Sequence, residues 1–186
     1  TATPDGNIYM GSITVNTLVT RYIDLATTVH EIGHTFRLGH SNRVTCTGAA
    51  FNQQGATCQR NIYGDGYDAM AGGTFTTAGH YNSIWKEKLN WFQPSNIQVI
   101  GPPITEATYD LEPVETTSTN LKILKIQRTQ SDYLYIEYRQ PIGFDSWLSS
   151  RDPEQYNGAL IYFTGMAWSG GGTTDTLQID PTISTS

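Results

Sequence analysis

The sequence predicts an α+β protein, and three observations carry that expectation. Leu25, Val29, Ile32 and Phe36 recur in steps of four, three and four, which describes one face of a helix running from Asp24 to about Phe36. A second helical pattern runs from Thr77 to Trp91, with Tyr81, Ile84, Trp85 and Leu89 on one face and Pro94 closing it. Beyond Pro94 the character changes to β-type alternation at Leu121–Gln127 and Tyr133–Tyr138 and an apolar run at Ala159–Phe163, separated by turn residues. Residues 1–92 are therefore expected to form one region and 93–186 a β-rich, antiparallel companion region.

The remaining segments fall into place around these. Residues 7–16 hold short β-branched alternation and read as one or two strands. Residues 41–76 carry no period and read as a long ordered loop. Ser169-Gly170-Gly171-Gly172 reads as a flexible turn. With 186 residues, 38% hydrophobic and 11% aromatic, the chain has the material for a buried core. Its net charge of -6 and the lack of any Lys/Arg run argue against nucleic acid as a partner. No apolar stretch approaches the length of a membrane span. Cys46 and Cys58 lie in the Gly- and Thr-rich loop, a setting that favours a disulfide in an oxidising, extracellular compartment.

The chemistry concentrates in the first helix. His30-Glu31-Ile32-Gly33-His34 places two imidazoles at i and i+4, on one face, where both can reach one ion. Glu31 is turned about 100° from His30, so its carboxylate addresses a water at the metal rather than the metal itself. Catalytic Zn²⁺ takes three protein ligands and keeps one position open. His40, six residues after His34, is the candidate third ligand. His80 is expected to cap or pack. Asp110, Glu112, Glu115, Asp132, Glu137 and Asp145 show no calcium-loop spacing and read as solvated surface charge.

The run from His30 to His40 resembles the extended zinc motif of the metzincin metallopeptidases, H-E-x-x-H-x-x-G-x-x-H. Tyr63-Gly64-Asp65-Gly66-Tyr67-Asp68-Ala69-Met70-Ala71-Gly72 resembles the loop that carries the metzincin Met-turn. The stretches Gly79–Trp91 and Tyr135–Asp145 are similar to the gametolysin-type branch, so the likeness spans about residues 20 to 163. It implies the C-terminal part of a metzincin-like catalytic domain, made of zinc helix, Met-turn and following helix. It further implies Met70 as a hydrophobic floor beneath the ligands and a secreted zinc endopeptidase acting on extracellular proteins or glycoproteins, with Glu31 as general base. A metal-holding pseudo-peptidase that serves as a binding module is the alternative.

Two departures stand out. Arg37 occupies the position where the family has glycine, which turns the chain with φ > 0 toward the third histidine. Arginine enters that region at a cost of about 1–2 kcal/mol, unless Gly39 takes over part of the turn. Gly72, two residues after Met70, stands where some metzincins place a tyrosine. Few residues precede Asp24, so the family's N-terminal sheet is expected to be incomplete here, with further segments of the same precursor as possible partners.

Overall fold

A computed structural model describes residues 25–51, 53–72, 79–151, 153, 156–164 and 175–184, the stretch 180–184 through its backbone. The strands expected within 7–16 and the glycine turn at 169–172 lie outside the described residues. The architecture is α+β. Helix α1 (Leu25–Thr35) and helix α2 (Ser83–Lys88) accompany β1 (Ser41–Thr47), β2 (Thr57–Asn61), β3 (Ile97–Ile100), β4 (Ile123–Gln127), β5 (Tyr133–Tyr138), β6 (Ala159–Thr164) and β7 (Thr176–Ser184). These strands form one seven-stranded sheet in the order β2-β1-β7-β6-β5-β4-β3.

The sheet is mixed, which corrects the antiparallel expectation for residues 93–186. β4, β5, β6 and β7 pair antiparallel in succession, but β3 runs parallel to β4, and β7 runs parallel to β1. Parallel neighbours need a long crossover, and the chain between Ile100 and Ile123 supplies one for β3 and β4. The β1–β7 register breaks between Val44 and Cys46, opposite the stretch containing Pro181, whose nitrogen has no hydrogen for the ladder. Through β1 and β7 the sheet joins residues on both sides of position 92.

Residues 41–61 are not a loop but a hairpin. β1 and β2 pair antiparallel with Cys46 directly opposite Cys58, and the two are disulfide-bonded. Period two explains the strand: Asn42, Val44 and Cys46 point inward while Thr45 faces solvent. Polar Asn42 at an inward position, beside a buried Ser41 on the opposite face, hides that period in the sequence.

Two apolar layers flank the sheet. On one face Ile123, Tyr135 and Tyr162 meet Val29 and Phe36 of the first helical segment, Tyr81, Ile84 and Trp85 around α2, and Met70. On the other, Val44, Cys46, Phe163 and Leu177 pack with Phe51 and Leu134. Of the face expected for α1, Leu25 is instead exposed. α2 is shorter than its pattern suggests. Asn82 caps it by accepting the Trp85 N–H at 3.1 Å, and Asp68 and Glu137 accept the N–H groups of Asn82 and Ser83. Asn82 itself is extended, and α2 begins only at Ser83. At the other end Asn90, with φ 57°, turns the chain out of the helix.

Two of the six acidic residues read as surface charge, Glu137 and Asp145, depart from that expectation, while Asp110 is exposed. Glu137 and Asp145 are fully buried and bracket a fully buried Arg139, at 2.6 Å and 3.2 Å. Strand periodicity puts Glu137 on the helix-covered face beside Tyr135.

Candidate metal centre

α1 brings His30 and His34 onto one face, and the chain returns after the helix to add His40. The three imidazoles offer nitrogens that all lie within 4.8 Å of one another. His34 Nε2 and His40 Nε2 are 3.1 Å apart. The ring of His34 stands edge-on to both of its neighbours, while those of His30 and His40 stack at 5.5 Å.

Backbone carbonyls set the tautomers. His30 Nδ1 meets the Ala69 carbonyl at 2.9 Å, and His34 Nδ1 meets the Leu38 carbonyl at 2.9 Å. A carbonyl only accepts, so each Nδ1 donates its proton there and Nε2 is the nitrogen left to face an ion. Metal-binding histidines show this arrangement, which orients the ring and makes the free nitrogen a better donor. Burial, followed by the positive potential of His34, lowers the His40 pKa, with Asp175 and Glu31 pulling the other way. Below its usual range, His40 stays neutral and available as a donor at neutral pH.

The turn that returns His40 is built on Arg37. Its φ is 61°, the left-handed conformation that glycine most readily takes, so the turn occurs at position 37 itself. The Leu38 N–H bonds the Gly33 carbonyl at 3.1 Å and the Arg37 N–H bonds the His34 carbonyl at 2.9 Å. That pair of bonds closes a helix with its C′ residue left-handed. It also delivers the Leu38 carbonyl to His34. Lys88 Nζ caps the Arg37 carbonyl at 2.6 Å. Because the arginine is strained there, Arg37→Gly is expected to stabilise the protein by about 0.5–1 kcal/mol, after the entropy glycine adds to the unfolded chain. Urea unfolding checks this. A destabilised variant would mean that the Arg37 side chain contributes more than its backbone costs.

Met70 is fully buried against α1. A Cβ at Gly33 would collide with Met70 Sδ and lie 3.2 Å from the Tyr81 hydroxyl, so glycine at 33 is what lets the methionine loop approach the helix. That loop is pinned from several sides. Asp68 accepts the N–H groups of Met70 and Asn82, the Ser41 N–H bonds the Met70 carbonyl at 3.0 Å, and the Ala69 N–H bonds the His80 carbonyl at 3.2 Å. Burial pushes the Asp68 carboxyl up to about 6, against the pull of Arg139 and these N–H donors.

The structure also separates what does not belong to the site. The His80 ring packs edge-on against Phe144, and the His80 backbone N–H bonds Asp145 at 2.8 Å; burial, then Lys86, lower the pKa of the ring to about 4. Its ring nitrogens are not part of the triad. Two residues the sequence did not single out as site residues stand beside the triad. The Tyr63 ring lies 4.1 Å from that of His40, and Asp175 accepts the His40 N–H at 3.0 Å. Tyr63 stands within the quoted methionine-loop run, but neither residue is marked by any periodicity.

Compared with protein-family models, curated proteins and solved structures, the chain matches nothing. The donor set alone decides whether a metal fits. Three imidazoles, two of them with Nδ1 turned to a backbone carbonyl and Nε2 left to face an ion, match the three nitrogen ligands of a catalytic Zn²⁺. Among the described residues no other group of His, Cys, Asp or Glu converges in this way. No described helix is long and apolar enough to cross a membrane.

Proposed function

We propose that this protein is a zinc-dependent endopeptidase of metzincin type, working outside the cell on proteins or glycoproteins. The observation that carries the reading is the convergence of His30, His34 and His40, with Glu31 next to the first of them in α1. The three histidines would hold the ion. Bound zinc would supply Lewis acidity at the scissile carbonyl and make a coordinated water more acidic. The Glu31 carboxylate takes the proton from the attacking water and returns it to the leaving amine nitrogen. Gly33 and Met70 keep the helix and the methionine loop in contact, and the Ala69 and Leu38 carbonyls keep two of the rings aimed. The Cys46–Cys58 disulfide supports an oxidising location, since such bonds persist outside the reducing cytosol.

The test combines metal analysis with digestion of an unfolded protein mixture. The parent is expected to carry one zinc and to cleave, with cleavage lost to a chelator and regained with zinc. His34→Ala is expected to lose tight zinc binding, and His80→Ala to keep it. Zinc bound without cleavage would favour the binding-module reading. A parent that holds no zinc would overturn the proposal.

A further inference from the structure

His30 and His34 are oriented by carbonyls, but among the described residues no carbonyl stands against the ring nitrogens of His40. Its neighbours hold it differently. The backbone N–H of His40 donates to Asp175 Oδ1 at 3.0 Å, and its carbonyl accepts the Thr176 N–H at 3.0 Å. The other Asp175 oxygen accepts Asn42 Nδ2 at 3.2 Å, and Asn42 Oδ1 accepts the Tyr63 N–H at 2.9 Å. Tyr63 then lays its ring on His40, with centroids 4.1 Å apart and planes tilted by 50°. His40, Asp175, Asn42 and Tyr63 thus form a closed circuit.

Tyr63 bears the marks of a residue placed under constraint. Its φ is 59°, a conformation that a bulky side chain avoids unless its surroundings impose it. Those surroundings are Asn42, which is almost fully buried, and Gly72, whose N–H bonds the Tyr63 carbonyl at 3.1 Å. A Cβ at Gly72 would come within 2.6 Å of Tyr63 Cβ, so the ring takes its place because residue 72 has no side chain. Asp175 immediately precedes β7, which is anchored beside β1 in the sheet. The circuit therefore joins the third histidine to the far end of the chain.

We infer that Tyr63, through the contact of its ring, and Asp175, through the His40 backbone N–H and Asn42, are positioning residues that set the His40 imidazole for metal binding. The inference rests on the zinc reading above. Removing an outer partner of a metal-ligating histidine typically costs 10–100-fold in metal affinity, and a loss of that size is expected here.

The experiment is zinc affinity of the full chain by competition with a chromophoric chelator, together with the visible spectrum of the Co²⁺ form. Tyr63→Gly removes the ring and suits the left-handed backbone, so the variant should fold. It is expected to bind zinc about 10–100-fold more weakly, with an altered Co²⁺ spectrum and an unfolding midpoint no lower than the parent's. Tyr63→Phe keeps the ring and should match the parent within about threefold, and Asp175→Ala should lose affinity in the same range as Tyr63→Gly. Parental affinity in Tyr63→Gly would overturn the inference, as would a Phe variant as weak as the Gly variant, which would place the hydroxyl rather than the ring in the role. A parent that binds neither metal would instead overturn the zinc reading, and the inference with it.

Discussion

Glu31→Gln is expected to keep its zinc and to lose peptide hydrolysis by about 10²–10⁴-fold. Glutamine matches glutamate in size and still hydrogen-bonds, but it cannot take a proton from water. Glu31 follows His30 directly in α1, and its charge opposes the lowering of the His40 pKa that burial and His34 cause. Zinc content measured beside single-turnover cleavage separates the two roles. A variant that cleaves as fast as the parent removes Glu31 from catalysis. A variant that loses zinc instead makes Glu31 part of the metal-holding set.

The triad was legible in the sequence because its geometry is local. His30 and His34 share a face by helical pitch, and one turn carries the chain to His40. The resembled motif pointed to a left-handed turn at position 37, with Gly39 left as an alternative, and the structure places it at Arg37, where φ is 61°. Tyr63 and Asp175 were not legible, because their positions depend on pairing between residues far apart in the chain. The strand that brings Asp175 to the site includes Pro181 and alternates with polar residues, so it does not read as a strand. Burial of Glu137 was concealed differently. Two charged residues in Tyr-Ile-Glu-Tyr-Arg look solvated until the period of two places Glu137 on the face that α2 covers, with Arg139 as its partner.

Arg139→Ala is expected to destabilise the fold by about 3–5 kcal/mol at neutral pH, a large share of the stability of an ordinary domain. The guanidinium is fully buried, and its bonds reach in several directions. Nε donates to Glu137 at 2.6 Å, while Nη1 donates to Asp145 at 3.2 Å and to the Tyr67 carbonyl at 2.5 Å. Each carboxylate spends its other oxygen on the segment entering α2: Glu137 on the Ser83 N–H and Asp145 on the His80 N–H. Without the arginine, two buried carboxylates keep those N–H donors but lose their countercharge, with Asp68 already raised to about 6 by burial nearby. Removing Arg139, whose charge pulls the Asp145 pKa down, leaves burial to raise that carboxyl above its unfolded value. Groups shifted in that direction stabilise most below the unfolded pKa and lose that contribution as pH climbs through the folded one. The deficit against the parent should therefore be widest at pH 7.5 and narrow as the pH falls toward 5. Urea unfolding of both proteins at several pH values measures it. A deficit below about 1 kcal/mol, or one that does not change with pH, would show that Arg139 is not the countercharge that holds this cluster together. Zinc affinity of the variant, measured where it is still folded, should fall as well. Tyr67 and His80 hold the loop whose Ala69 carbonyl aims His30, and Arg139 is what ties both to β5.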